Sequence, residues 1–164
     1  MENKYKQIWH HPWIVAGCNM LLIMGLYTIT RVFFYLFNQD LYSAITASHL
    51  MEMLLGGIRF DLTSLLYLNS LYLLLILLPL PLSLRNSSKY IKATQYCYLL
   101  PNIIGIIVNC IDMVYVRFTD RRTTCTIFTE FQNDNNILEI VWQAVWGYWY
   151  VTIFGLVCIV ILWL

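Results

Sequence analysis

Apolar residues in this chain come in runs of membrane length, separated by short polar stretches. The runs are Trp13–Phe37, about Ile58–Leu78, about Tyr96–Val116, and a fourth that begins near Val145 and is still apolar at Leu164. A hydrocarbon core about 30 Å thick needs roughly 20 helical residues, and the first three runs meet that length. Open strands are excluded, because lipid offers no partner to a sheet edge. The pattern predicts an all-α, polytopic membrane helix bundle with four spans, at about 13–37, 58–78, 96–116 and 145–164. Pro79 and Pro81 stop the second span, since proline cannot donate to the helical ladder.

The connecting stretches carry signals of their own. Between spans one and two, Ala44, Ile45, Leu50, Met51, Met53 and Leu54 alternate with polar residues. This predicts an interfacial amphipathic helix over 43–56, with Gly56-Gly57 bending it into span two. A second short amphipathic helix is expected over 123–131, with Ile127, Phe128 and Phe131 on its apolar side. Asn136 with Glu139 three positions later reads as a helix start, Asn as N-cap and Glu near the positive dipole end. Trp142, Trp146 and Trp149, interleaved with Tyr148 and Tyr150, form an aromatic belt of the kind that marks a membrane interface. Only 14 residues, Val151–Leu164, follow that belt, and no basic flank closes them. The expectation is that this is the front of a longer polypeptide and that the fourth span is truncated.

Composition agrees with the pattern. The chain of 164 residues is 60% hydrophobic and 12% charged, with a mean hydropathy of +0.64. A soluble domain carries roughly 45–50% apolar and about 25% charged residues, so the main solvent here is lipid. A net charge of +1 argues against a nucleic-acid partner. The five cysteines follow no pairing or metal pattern; most fall in apolar runs, and only Cys125 lies in a polar loop. Lys4 and Lys6 precede the first run, which is far longer than the roughly 7–15 residues of a signal-peptide core. It reads as a retained span.

Basic residues set the orientation. The N-terminal tail holds Lys4 and Lys6, and the loop after span two holds Arg85, Lys89 and Lys92 with no acid. The loop between spans one and two holds Asp40 and Glu52 and no Lys or Arg. In segment 117–144, Arg117, Arg121 and Arg122 are offset by Asp120, Glu130, Asp134 and Glu139. The N-terminus and the 82–95 loop are therefore expected in the cytoplasm and the other two loops outside. A multi-pass protein of a bacterial cytoplasmic (inner) membrane is the expected setting.

That orientation brings several polar side chains toward the outer side. Arg31 lies about 9 Å inside the end of span one at 1.5 Å per residue. Arg59 and Asp61 stand at the entry of span two. Asn109 and Asp112, three apart, share one face of span three, and Arg117, Arg121 and Arg122 follow just outside. Charges beside membrane-length apolar sequence are costly unless paired, hydrated or bound. One reading is structural, with Arg31 snorkelling or pairing with Asp61 or Asp112 to hold helices together. The other is a headgroup site, because arginine offers a planar fork of donors suited to phosphate, with the carboxylates orienting it or receiving a lipid ammonium or hydroxyl. Arg59 and Asp61 point about 200° apart on a helix and should not pair. Asp61 is expected to meet Arg31 or Arg117, leaving Arg59 turned toward the interface. His10-His11 and His49 lack ligand spacing, and neither a glycine-rich phosphate loop nor a metal-binding cluster is present. No complete active site and no cofactor site can be read.

Gly57-Ile58-Arg59-Phe60-Asp61-Leu62, followed by Leu66-Tyr67-Leu68-Asn69 and a proline-terminated run, resembles the membrane domain of the lipoteichoic acid synthase-like family, in its sulfatase-like Bacteroidetes version. So does the stretch from Asn109 through Asp112 to Thr119, with Arg121-Arg122-Thr123-Thr124 and Phe128-Thr129-Glu130-Phe131 after it. The resemblance spans roughly residues 10–150. It implies a fifth span and an extracellular catalytic domain of the alkaline phosphatase superfamily beyond Leu164. That domain would use a divalent metal, often manganese, and a threonine or serine nucleophile. It would transfer phosphoglycerol or phosphoethanolamine from a lipid, or cleave sulfate or phosphate esters. On this reading the present chain anchors the enzyme and presents its lipid, with anionic or zwitterionic phospholipid headgroups and its own extracellular domain as partners. The alternative is a non-enzymatic membrane protein, a small transporter subunit or an assembly factor. Its mid-membrane polar pathway would have to be built from Asn19, Asn69 and Asn102.

Overall fold

A computed structural model of the chain describes residues 11–42, 46–123 and 137–163. Among these, the regular elements are helices: α1 (Pro12–Phe37), a 3-10 turn (Gln39–Tyr42), α2 (Ala47–Leu68), α3 (Ser70–Leu77), α4 (Leu82–Arg85), α5 (Ser88–Thr119), α6 (Ile137–Gly147) and α7 (Trp149–Trp163). Pro12 opens α1, where its missing N–H would have no helical acceptor in any case.

Two helices, α1 and α5, are each long and apolar enough to cross a membrane, and α2 with α3 makes a third if the bent pair is one span. With 15 residues, α7 is apolar but about 22 Å long at 1.5 Å per residue, shorter than a roughly 30 Å core. The expected fourth span does not form one helix from Val145. It is divided at Tyr148, whose N–H bonds Ala144 while its carbonyl accepts from Val151. Helix α5, at 32 residues, extends past both ends of the expected third span and carries Lys89, Lys92 and Gln95 in its first turns.

The bend in the second span is not at Gly56-Gly57. Helix α2 runs through both glycines unbroken, and the 62° bend falls at Asn69, between α2 and α3. Glycine weakens a helix by about 1 kcal/mol relative to alanine, a small term beside the cost of freeing backbone groups with no water to receive them. At Asn69 the Leu65 carbonyl is shared between the side-chain Nδ2, at 3.0 Å, and the backbone N–H, at 2.9 Å. The expected 43–56 segment is therefore continuous with the second span from Ala47 onward. The expected 123–131 helix lies outside the described residues except for Thr123, as does the Asn136 cap.

The chain forms two compact units. Of the described residues, the first comprises 11–29 and 46–104, the second 30–42, 105–123 and 137–163. In the first unit Ile23, Leu26, Leu65, Tyr72, Ile76 and Tyr98 are buried, and with them the fully enclosed Asn69, Thr94 and Asn102. Asn69 and Asn102 bond each other reciprocally, Nδ2 to Oδ1 at 3.0 Å one way and 2.7 Å the other. Each amide also donates to the carbonyl four residues before it, Leu65 and Tyr98. Asn19 Nδ2 donates to the Tyr72 hydroxyl at 2.6 Å, and the Tyr98 hydroxyl donates to the Asn19 carbonyl at 2.9 Å. Tyr90 secures the end of α3 through a hydrogen bond to the Leu75 carbonyl.

In the second unit, Phe33 and Phe154 stack at 4.1 Å, and Ile106, Met113, Val116, Val151, Cys158 and Leu162 are buried. Gly155 lets α7 approach α5 closely, since a Cβ there would stand 2.9 Å from Cys110 Sγ. Large apolar side chains such as Leu21, Leu74, Ile104, Leu156 and Val160 are exposed along the helices of both units. Apolar surface on that scale is foreign to a water-soluble monomer and natural to helices solvated by lipid.

Candidate functional site

The second unit gathers its charge where α1 and α5 end. Helix α5 stops at Thr119 because Asp120 takes a left-handed conformation (φ 53°) while its N–H still reaches the Val116 carbonyl at 2.9 Å. The Thr119 hydroxyl lies within hydrogen-bond distance of the Tyr115 and Arg121 carbonyls, at 2.9 and 3.0 Å. The chain is thereby turned back along its own helix. Asp112, two turns earlier, receives the returning strand: Oδ1 accepts the Thr123 N–H at 2.6 Å, and Oδ2 accepts Arg122 Nε–H at 2.8 Å. Asp112 is only 6% exposed, so a buried carboxylate is satisfied by one backbone donor and one guanidinium edge.

Arg117 and Arg122 each engage a carboxylate and also lie over a ring. The Arg122 guanidinium sits 4.9 Å from the Phe34 centroid. Arg117 pairs with Asp40 at 3.1 Å and lies 4.8 Å from the Phe37 centroid. Phe37 in turn meets Tyr150 at 5.4 Å and Tyr148 at 6.0 Å, edge-on in the second case. Cation–π contact adds about 0.5–1 kcal/mol at exposed sites and more where water is excluded. Asn38, fully buried, donates through Nδ2 to the Phe34 and Met113 carbonyls at 3.0 and 3.3 Å. Two carbonyl acceptors settle which end of that amide carries the nitrogen. Asn38 Oδ1 and Thr123 Oγ1 are then left buried without a partner among the described residues.

Of the two arginines expected to meet Asp61, Arg117 pairs instead with Asp40, in the 3-10 turn that follows α1. Asp40 shows in the sequence only as a loop acid, with nothing to link it to a residue 77 positions away. Asn109 is half-buried on α5, one turn before Asp112. Arg31, also half-buried, belongs to the part of α1 that contributes to this unit, and Arg121 is exposed beside Arg122.

Arg59 and Asp61 belong to the first unit, on α2. Arg59 is exposed, and its carbonyl accepts the Thr63 hydroxyl at 3.1 Å. Asp61 is half-buried and within electrostatic reach of Tyr27. The two form no ion pair with each other, as residues about 200° apart on one helix cannot. Trp142 and Trp146 stand on one face of α6, edge-to-face at 5.7 Å, and Trp149 meets Tyr150 at 5.9 Å; all three tryptophans are exposed. Exposed, mutually braced indoles suit a lipid–water boundary.

Among the described residues no group of three or more His, Cys, Asp or Glu is placed to hold a metal, and Cys18, Cys97, Cys110 and Cys158 are free thiols. Phe34, Phe37, Asn38 and Asp40 complete the site, and sequence reasoning missed all four; the aromatic pair three apart ahead of Asn38 was the one available hint. Comparisons with protein families, with curated proteins and with solved structures return no match for this chain.

Proposed function

We propose that this chain is a membrane domain that anchors an extracytoplasmic transferase or hydrolase of the alkaline phosphatase superfamily type and holds a phospholipid headgroup at its arginine-bearing end. The observation that carries this reading is the pair of arginines at one end of the second unit. Arg117 and Arg122 each have one donor on a carboxylate and a face on a phenylalanine, with further N–H groups unbonded among the described residues. Rigid guanidinium forks at the end of apolar helices suit an anionic or zwitterionic headgroup, because a phosphate there meets oriented donors while its acyl chains stay in lipid. The enzyme class comes from the resemblance of the Arg59–Asp61 and Asn109–Thr119 stretches. The domain crosses the membrane four times, α6 and α7 together supplying the last crossing, with the N-terminus in the cytoplasm, as the basic residues favour.

The 62° break at Asn69 favours a second reading, since transporters use broken helices at mid-membrane. Against it, both Asn69 and Asn102 spend their amides on each other and on helix carbonyls. A saturated pair holds helices together and offers no vacant ligands to an ion. Native mass spectrometry of the purified chain, released from bacterial membranes in mild detergent, tests the leading reading. It should carry phospholipid selectively over neutral lipid. Release of every lipid as readily as a designed apolar bundle would sink it.

A further inference from the structure

We infer that Arg122 is the residue that grips the phosphate, and that Asp112 and Phe34 are positioning residues which aim its terminal fork away from the protein. The inference rests on the headgroup reading above and gives that site its contact residue and ligand class, a phosphate ester.

A free Arg–Asp pair would ordinarily close as a two-pronged fork and consume the donors a ligand needs. Here it is not closed that way: Asp112 Oδ1 accepts the Thr123 N–H at 2.6 Å, and Oδ2 alone meets the guanidinium, through Nε–H at 2.8 Å. The carboxylate side chain is 8% exposed and cannot swing to a better grip, whereas the Arg122 side chain is 62% exposed. Phe34 lies against one face of the guanidinium plane. One edge and one face are thus fixed, and the end-on pair, Nη1 and Nη2, is bonded to nothing among the described residues. That edge matches two oxygens of a phosphate. Because Asp112 already offsets the charge, recognition depends on the fork's geometry more than on net positive charge.

The phosphate can belong to a lipid or be free in solution, and the experiment separates the two. The full-length chain and its R122K, R122Q and F34L variants are loaded with phosphatidylglycerol in mixed micelles, and retained lipid is read by native mass spectrometry with and without added inorganic phosphate. Melting temperature serves as the folding control. R122Q should lose about tenfold in retention, a factor equivalent to about 1.4 kcal/mol. R122K should fall nearly as far, because lysine keeps the charge and lacks the fork. F34L should show a smaller loss at unchanged melting temperature. Retention in R122K equal to the wild type would overturn the inference while leaving the headgroup reading intact. A wild type that retains no phosphatidylglycerol would defeat the headgroup reading itself. Inorganic phosphate that leaves retention unchanged supports a lipid phosphate as the ligand, and inorganic phosphate that displaces the lipid supports the phosphate grip with free phosphate as its source.

Discussion

Asn69 and Asn102 show how much a single side chain decides in an interior closed to water. Each is fully enclosed, and each gives both ends of its amide to a partner. Truncating one leaves the other with lone donors and acceptors and no water, and interhelical polar bonds in membranes carry about 0.6 kcal/mol on average and up to about 1.7. Asn102→Ala should therefore destabilise the chain by about 1–2 kcal/mol, counting the orphaned Asn69 amide. Replacing both residues by leucine should cost less than either single change. Reversible unfolding in mixed micelles checks the ordering. Asp112→Asn is milder, because Arg122 is well exposed and its interaction is screened by solvent. A loss of about 1 kcal/mol is expected, with the Thr123 N–H still able to bond the amide oxygen. Tryptophan fluorescence during the same unfolding would record it.

At the scale of elements, the close approach of α7 to α5 depends on one missing methyl group. A Cβ on Gly155 would lie 2.9 Å from Cys110 Sγ, so one of the two must move. Gly155→Ala should cost about 1–3 kcal/mol, the usual range for overpacking, and Cys110→Ala should recover most of it. A double-mutant cycle measures that recovery directly, and additive single effects would count against the contact. The helical state and the membrane-length first and third runs were legible from the apolar pattern, because an apolar helix in lipid has no alternative conformation that satisfies its backbone. The break at Asn69 was not, since two adjacent glycines look like the weaker point. At the break, the Asn69 amide is bonded to Asn102, 33 residues away, a contact that no local pattern records.

For the whole molecule, the positive-inside pattern predicts which polar stretches face which compartment. With the N-terminus in the cytoplasm, a cysteine introduced at Ser87 should be protected from a membrane-impermeant reagent in intact cells and one at Asp134 should be labelled, in a background without the native thiols. The reverse pattern would put the arginine-bearing end on the wrong side for an extracytoplasmic enzyme. Arg59, exposed on α2, is tested in the same preparation. Arg59→Gln should leave phospholipid retention and the melting temperature unchanged, because Arg59 belongs to the first unit and the proposed headgroup contacts to the second; a loss of retention at unchanged melting temperature would give this arginine a headgroup role of its own.

The sequence alone determined that the chain is helical, with apolar runs long enough to cross a membrane, because such runs admit few other solutions in a bilayer. It also marked the charged residues at the span ends as expensive and therefore engaged. Which acid meets which arginine was beyond it. Arg117 with Asp40 and Arg122 with Asp112 depend on where α1 ends and on the left-handed turn at Asp120 that folds the chain back. Partner choice among charges depends on distances of a few ångströms between segments far apart in the chain, and a single sequence records composition and spacing but not those distances.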